Sequence, residues 1–195
     1  MPQDRQALRQ HLRLLRRTLS PQQQRQASQA LAHNLINQPE IAQADTIALY
    51  LANDGEPNLM PLIRLLWQQH KSLALPVMDP SDPKQILFQR FAPDTTMVNN
   101  RYGIAEPTWD KGEVFHRKEI DLMLMPLVGF DDQGNRLGMG AGCYDRYLAG
   151  DSPRPLLVGC AHENQRLERL ESAPWDVPLD AVATPKRWLA TYQGD

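Results

Sequence analysis

The sequence predicts an α/β fold, a single three-layer domain in which helices cover a mainly parallel sheet. Three observations support this prediction. Short apolar runs, each long enough for one buried strand, alternate with segments of helical periodicity along the chain. Several of these runs end in polar loops, and open sheets of this class bind ligands at the carboxyl ends of their strands. The chain has 195 residues, of which 42% are hydrophobic, so it can bury one core and we expect one domain over residues 1–195.

The N-terminal segment predicts a basic amphipathic helix over about residues 3–19. Its apolar stripe consists of Leu8, Leu12, Leu15 and Leu19. These leucines repeat at helical spacing, and arginines recur beside them. Arg5 and Arg9 are four residues apart and lie on one face, where both can reach the same phosphate groups. Most of the remaining arginines are better explained as solvated charges.

The following elements alternate between helix and strand. A second helix is predicted from Pro21 to about Asn37, because Ser20 and Gln23 form a capping box at its start. A third begins near Asn58. Strands are predicted at Thr46 to Leu51, Lys71 to Val77, Ile86 to Phe91, Leu122 to Phe130 and Pro155 to Ala161. The second and third of these are predicted to run parallel to the first. A short helix is predicted at Asn164 to Leu170.

The irregular segment from Ala92 to Gly112 carries no clear element. Its aromatic residues Tyr102 and Trp109 are expected to pack this long loop onto the sheet.

The segment from Leu122 to Leu148 carries the strongest functional signal. Its strand ends at turn-forming residues, and a loop follows with glycine at every second position before a short helix begins at about Cys143. The glycines are Gly138, Gly140 and Gly142. A strand, a glycine loop and a helix start in this order can hold a phosphate group, because glycine lets backbone N–H groups approach closely and a helix N-terminus adds partial positive charge.

Arg136 and Asp145 flank this loop. A guanidinium can fork onto phosphate oxygens, and a carboxylate can hold hydrated Mg²⁺, which prefers a few carboxylates together with the oxygens of a nucleotide. The glycine spacing matches neither of the two common glycine-rich nucleotide motifs. Local chemistry therefore leaves two interpretations open, a nucleoside triphosphate site and a glycine-rich turn with two solvated charges.

Composition excludes several classes of partner. A net charge of -2 gives no general attraction to nucleic acid or to a membrane. No apolar run approaches the roughly 20 residues of a membrane span, and the N-terminus lacks the apolar core of a secretory signal. We therefore expect a cytoplasmic protein without nucleic-acid or membrane partners, whereas protein partners stay unknown. Cys143 and Cys160 lack metal-ligand spacing and are expected to be free thiols.

The string GNRLGMGAGCYDRYL resembles the signature of the 5-formyltetrahydrofolate cyclo-ligases, also called 5,10-methenyltetrahydrofolate synthetases, whose usual form is G-x-R-L-G-x-G-x-G-Y-Y-D-x-x-L. The matching positions are Gly134, Arg136, Leu137, Gly138, Gly140, Gly142, Tyr144, Asp145 and Leu148. Weaker matches cover Asn100 to Pro107 and Trp175 to Thr184, and the resemblance runs from Arg5 to Thr184. Met139, Ala141 and Cys143 depart from the residues usual at their positions, all in the folate-facing part of the loop.

This resemblance implies a sugar-isomerase and CoA-transferase-like variant of the α/β fold. It also implies an ATP-dependent enzyme that converts 5-formyltetrahydrofolate to 5,10-methenyltetrahydrofolate, with ATP as co-substrate, Mg²⁺ as metal, and ADP and phosphate as products. One alternative is a catalytically inactive folate- or nucleotide-binding module on the same fold, which the presence of both Arg136 and Asp145 disfavours. Another is a phosphosugar isomerase or CoA-transferase relative, for which the sequence offers no convincing catalytic acid or nucleophile.

The resemblance further implies site residues, with Arg136 as the catalytic one. The nucleotide-binding positions are Arg5, Gln6, Ala7, Leu8, Arg9, Arg136, Leu137, Gly138, Met139, Gly140, Ala141, Gly142, Cys143 and Tyr144. The folate-binding positions are Arg9, Leu51, Glu56, Met139, Gly140, Ala141, Gly142 and Cys143. Asp145 and Asp176 are the implied metal ligands, and Asp180, the other candidate for the second ligand, is also explained as a cap of the last strand. Taken alone, Glu56 is an ordinary acidic residue near a helix start.

Overall fold

A computed structural model describes residues 4–82, 84–109, 112–150 and 153–191 of the chain. Some predictions touch residues outside these ranges, namely the first position of the N-terminal helix, two positions of the irregular segment and the ends of the expected domain. Those positions lie outside the described residues.

The described residues form an alternating series of helices and strands. In chain order, the helices are α1 (Arg5–Arg17), α2 (Pro21–Ile36), α3 (Pro39–Gln43), α4 (Met60–Gln68) and α5 (Cys143–Leu148). The strands are β1 (Thr46–Ala48), β2 (Ser72–Met78), β3 (Ile86–Arg90), β4 (Met97–Asn99), β5 (Ala105–Pro107), β6 (Val114–Phe115), β7 (Leu122–Pro126), β8 (Gly129–Phe130), β9 (Arg136–Leu137), β10 (Leu156–Cys160), β11 (Ala181–Ala183) and β12 (Trp188–Ala190). No helix in the described ranges combines the length and the apolarity needed to span a bilayer.

The main sheet confirms the predicted α/β class. Within the described residues its strand order is β12-β11-β10-β7-β1-β2-β3-β6, and the central strands β11, β10, β7, β1 and β2 are parallel. Strands at both edges are antiparallel. The prediction that Ile86 to Phe91 is a further parallel strand is therefore wrong for β3. Residues 79–85, which join β2 to β3, are too few for the crossover of about a dozen residues that a parallel neighbour requires.

The sheet has a separate apolar core on each face. On one face α2, α3 and α4 pack on alternate strand residues, with Leu35, Ile41 and Ile63 among the buried contacts. On the other face α5 packs its aromatic side chains against Phe88 and the cluster that also contains Met123 and Leu157. This arrangement gives helix, sheet and helix layers.

The helix starts follow from their caps. The Asp4 side chain accepts hydrogen bonds from the Gln6 and Ala7 backbone N–H groups at the start of α1. The predicted capping box of α2 is present, with reciprocal bonds between Ser20 and Gln23. Helix α4 begins later than predicted, at Met60.

The predicted strand from Leu122 to Phe130 is interrupted. β7 ends at Pro126, and the chain re-enters β structure in β8, which forms a hairpin with β9 outside the main sheet. The Leu127 carbonyl accepts hydrogen bonds from the side chains of Arg16 and Gln165, at 3.2 and 2.9 Å. These bonds satisfy the Leu127 carbonyl at the point where strand pairing stops. The apolar run therefore continues beyond the end of β7.

Three other element predictions are also corrected. The predicted helix from Asn164 to Leu170 is a 3-10 turn at Glu163–Gln165, because the next residues bridge to Phe130 instead of coiling. The segment from Ala92 to Gly112, predicted as irregular, contains the β4–β5 hairpin. The strand predicted to reach Leu51 ends at Ala48 in β1.

Helix α1 lies outside the two main cores. Its Leu12 packs with Val128, Leu137 and Leu170 in a third cluster beneath the β8–β9 hairpin. The arginines on the neighbouring face of α1 consequently lie at the carboxyl ends of the parallel strands, where α/β sheets bind ligands.

Candidate active site

A cleft of 1540 Å³ opens beside the carboxyl ends of β1, β2 and β7. The loop after β1, the arginine face of α1 and the glycine loop before α5 line it, and the segment 173–178 completes its wall. Ordinary ligand pockets measure about 300–1,000 Å³, so this cleft has room for more than one small molecule.

The glycine loop uses backbone conformations that favour glycine. Gly140 has φ +108°, and Gly142, the N-cap of α5, has φ +67°. A Cβ atom built on Gly140 would lie 3.5 Å from the Arg9 guanidinium carbon. The loop can therefore turn its backbone toward the cleft next to a positive side chain.

Arg136 and Asp145 form an ion pair at the base of this loop. Arg136 Nη2 lies 2.5 Å from Asp145 Oδ1, and the Arg136 side chain is 5% exposed. The Val177 backbone N–H also donates to this carboxylate, at 3.2 Å. Arg136 Nε is buried and finds no hydrogen-bond partner among the described residues. A buried donor without a partner is costly, and its place in the cleft wall suits an incoming acceptor.

Helix α1 brings two more guanidinium groups to the cleft. Arg9 Nε donates to the Gly138 carbonyl at 2.8 Å, which ties the helix to the glycine loop. Arg5 Nη1 lies 2.7 Å from Asp176 Oδ2, which also accepts from the Ala173 backbone N–H. Burial lowers the pKa of Arg9, and the neighbouring positive charge of Arg5 lowers it further. This concentration of positive charge favours an anionic ligand.

The cleft is also lined by a buried acid, Glu56. Burial raises the pKa of its carboxyl from 4.5 to about 7, although a backbone hydrogen bond from Asn53 and the charge of Arg16 oppose that shift. The Asn53 N–H donates to Glu56 Oε2 at 2.9 Å. Tyr50 and Leu51 line the cleft beside it. Glu56 is therefore placed to pair with donor groups of a ligand.

Arg16 is a cleft residue that the sequence reasoning missed. Its side chain is fully buried, and its guanidinium contacts Asp54, Leu127 and Glu56. One signal could have revealed it. Arg16 lies four residues after Leu12, on the apolar stripe of α1, where an arginine must find partners inside the protein.

Most of the predicted site residues come together in this cleft. Those that line it are Arg5, Arg9, Leu51, Glu56, Arg136, Gly138, Met139, Gly140, Ala141, Gly142, Cys143, Tyr144, Asp145 and Asp176. Four predicted nucleotide-binding residues do not. Gln6 and Ala7 point to solvent, because the helix turns them away from the Arg5 and Arg9 face, and Leu8 and Leu137 pack in the cluster around Leu12.

Asp176 and Asp180, the two candidates for the second metal ligand, differ in their position relative to the cleft. Asp180 forms a forked pair with Arg154 at 2.6 and 2.9 Å and accepts from the Leu157 N–H, and it does not line the cleft. Asp176 does line it.

The expectation that Tyr102 packs against the sheet is wrong, since this side chain is 61% exposed at the cleft rim.

A mainly parallel α/β sheet with a charged cleft at its strand ends is the arrangement in which α/β proteins bind their ligands. The profile of the 5-formyltetrahydrofolate cyclo-ligase family matches residues 1–185. The chain belongs to this family, and it is a ligase.

Similar proteins agree with this assignment. The chain is 43% identical to the 5-formyltetrahydrofolate cyclo-ligase of Haemophilus influenzae, over 91% of this chain and 95% of the relative. It is 40% identical to the enzyme of that name from Escherichia coli, over 90% and 97% of the two chains. The NMR structure of 5,10-methenyltetrahydrofolate synthetase from Aquifex aeolicus aligns with a TM-score of 0.85 and 32% identity, covering 98% of this chain and 94% of that one. The Mycoplasma pneumoniae 5,10-methenyltetrahydrofolate synthetase aligns with a TM-score of 0.76 and 25% identity, covering 94% and 99%.

Proposed function

We propose that this enzyme catalyses the ATP- and Mg²⁺-dependent cyclisation of 5-formyltetrahydrofolate to 5,10-methenyltetrahydrofolate and releases ADP and phosphate. The observation that carries the proposal is the Arg136–Asp145 pair beneath the glycine loop, in which Arg136 Nε is buried and has no partner in the part of the chain that the structure describes. That arrangement offers an anion both a charged donor and backbone N–H groups. The names of its relatives supply the substrate.

The cleft divides into two proposed halves. Arg5, Arg9, Arg136 and the loop amides hold the phosphates of ATP at one side. Leu51, Glu56 and the loop from Met139 to Cys143 hold the folate at the other, where the carboxylate of Glu56 accepts hydrogen bonds from the pterin N–H donors. The volume of 1540 Å³ is large enough for both molecules at once.

Asp145 and Asp176 would hold the Mg²⁺ ion. Both line the cleft, and within the described residues no group of three or more possible metal-ligating side chains exists. This donor set fits Mg²⁺, which keeps several waters and binds through one or two carboxylates and the phosphates of its substrate. When bound, the ion neutralises charge on the nucleotide phosphates.

In the proposed reaction the formyl oxygen attacks the γ-phosphate of ATP, and ADP leaves. The neighbouring folate nitrogen then attacks the activated formyl carbon, loses its proton and closes the ring, and the former formyl oxygen leaves as phosphate. The formyl group is an unreactive amide, so phosphorylation turns its oxygen into a leaving group. The arginines position the γ-phosphate in line with this oxygen and stabilise the charge that develops during transfer.

A spectroscopic assay tests the proposal. Purified enzyme with 5-formyltetrahydrofolate, ATP and Mg²⁺ should produce the methenyl-folate chromophore, and omission of ATP or of Mg²⁺ should abolish it. Binding of folate or nucleotide without any chromophore would favour the inactive binding module. Chromophore formation without ATP would contradict the proposed mechanism.

A further inference from the structure

Arg16 links three segments that line the cleft. From α1 its Nε donates to the Asp54 carbonyl at 2.6 Å, and its Nη1 donates to the Leu127 carbonyl at 3.2 Å. Its Nη2 lies 2.8 Å from Asp54 Oδ2 and 3.8 Å from Glu56 Oε1. A fully buried guanidinium that uses each of its nitrogens in this way holds a fixed orientation.

The loop that Arg16 contacts is built around this side chain. Asp54 and Gly55 both adopt positive φ, at 53° and 78°. A Cβ atom on Gly55 would lie 3.3 Å from the Arg16 carbonyl oxygen, in tight contact. The Gln24 side chain donates to the Gly55 carbonyl at 3.1 Å and to the Arg16 carbonyl at 3.3 Å, which closes the loop onto the helix. The conformation that presents Glu56 therefore depends on α1.

The same helix carries Arg5 and Arg9, which are the proposed phosphate contacts, so α1 connects the two halves of the cleft. We infer that Arg16 is a positioning residue for substrate binding, one that orients Glu56 toward the folate and fixes the Glu56 loop relative to the phosphate-binding face of α1. This inference rests on the proposed function, because it assigns Arg16 a task only if Glu56 contacts the folate.

Several charged or titratable groups surround Glu56 and bear on any pH effect. They are Arg13 and Arg16 from α1, Asp54 from the same loop, Tyr50 from the end of β1 and Tyr144 from α5. Burial raises the pKa of Glu56, and the charge of Arg16 counteracts this rise. Loss of that charge should shift the Glu56 pKa further upward, so the carboxyl would stay neutral up to a higher pH.

The test compares Arg16→Met with the matched control Arg17→Met. Arg17 pairs with the same Asp54 from the surface, where its side chain is 48% exposed, and no contact joins it to Glu56 among the described residues. Steady-state rates are measured with varied folate at saturating ATP, with varied ATP at saturating folate, and from about pH 6 to about pH 9. A third variant, Glu56→Gln, reports on the acid itself.

We expect Arg16→Met to raise the KM for 5-formyltetrahydrofolate by about tenfold or more at neutral pH and the KM for ATP by less than about threefold. The midpoint at which the folate KM changes with pH should also move upward. Arg17→Met should leave both KM values and the midpoint near wild type. Arg16→Lys keeps the charge without the forked geometry, so it should restore the midpoint while the folate KM stays partly raised.

A folded Arg16→Met enzyme with wild-type folate KM and pH midpoint would overturn the inference. If that variant does not fold, Arg16→Lys against Arg17→Lys decides, and an unchanged folate KM in Arg16→Lys would overturn it equally. Glu56→Gln distinguishes failure of the proposed folate site from failure of the positioning role of Arg16. A normal folate KM in Glu56→Gln would contradict the proposed folate site, whereas a raised KM there with a normal KM in Arg16→Met would defeat the positioning role alone.

Discussion

The two walls of the cleft differ in how their charges are satisfied. On the Glu56 side, Arg16 of α1 is buried and engages Asp54 and Glu56, so the protein itself supplies its partners. On the glycine-loop side, Arg136 keeps a buried Nε for which the described ranges offer no partner, and Met139 of the loop is 51% exposed. One wall is internally complete and holds its shape, while the other has donor capacity left for a ligand. We expect substitutions in the two walls to have different consequences, and the following predictions test this.

The largest effect is expected at the wall with unused donor capacity. Arg136→Ala and Asp145→Asn should each lower kcat/KM by about 10³-fold or more, because the first removes a proposed phosphate contact and the second removes a proposed Mg²⁺ ligand. Initial rates of chromophore formation measure this loss, and thermal melting checks that each variant folds. Arg154→Ala is the control, since it removes a 2.6 Å ion pair with Asp180 outside the cleft. Near-normal turnover in both cleft variants would refute these roles.

The stability of the Glu56→Gln variant tests the Glu56 side of the cleft. Burial raises the pKa of Glu56 from 4.5 to about 7, so the folded state holds this proton more tightly than the unfolded chain. Ionisation of Glu56 therefore reduces stability as pH rises from the unfolded pKa to the folded one. The glutamine variant should be more stable than wild type at alkaline pH by about 3 kcal/mol, since each pKa unit corresponds to about 1.4 kcal/mol.

This gain should shrink as the pH falls below the folded pKa of about 7 and vanish near the ordinary value of 4.5. Urea unfolding at several pH values measures it. A stability difference that does not change with pH would show that the carboxyl of Glu56 is not perturbed by burial.

A moderate effect is expected from the backbone of the glycine loop. Gly140→Ala forces a side chain into φ +108°, which should cost about 1–2 kcal/mol and displace the loop amides. We expect the KM for ATP to rise by about tenfold. Gly103 has φ +72°, and apart from its chain neighbours no atom of the described residues lies within 4 Å of its Cβ position, so Gly103→Ala should lower the melting temperature without raising the KM for ATP. Equal KM values in the two variants would argue against phosphate binding by the loop.

The smallest effect is expected at the surface. Arg166 and Asp132 form an ion pair in which both side chains are well exposed. Such pairs contribute about 0–1 kcal/mol, so Arg166→Ala should lower the free energy of unfolding by no more than about 1 kcal/mol and leave turnover unchanged. Denaturant titration and the chromophore assay measure both quantities. A large loss of turnover would show that this surface ion pair supports the cleft.

The sequence predicts best those features that depend on neighbouring residues. The capping box at Ser20 and Gln23 fixes the start of α2, and the glycine spacing before Cys143 predicts the loop and the start of α5. Both are local interactions that the order of residues specifies directly. The parallel core of the sheet was also predictable, because helix and strand patterns alternate along the chain.

Features that depend on distant partners were not predictable. The apolar run through Leu127 looks like a continuous strand, but side chains from α1 and from Gln165 bind its carbonyls and end the ladder. Leu137 falls on the nucleotide-binding motif, yet it is buried beneath the hairpin beside Leu12. Arg16 was taken for a solvated charge because its partners lie 38 to 111 positions further along the chain. Spacing within one segment carries no information about such contacts.

The two cysteines differ in burial, so their rates of alkylation report on two different parts of the structure. Cys143 lies half-buried at the start of α5 in the cleft wall. Cys160 lies in the sheet core, where burial raises the pKa of its thiol. An alkylating reagent should therefore reach Cys143 in the native enzyme and be blocked when the cleft fills. Modification of Cys160 requires the central strands to separate, so its labelling rate follows global opening of the fold.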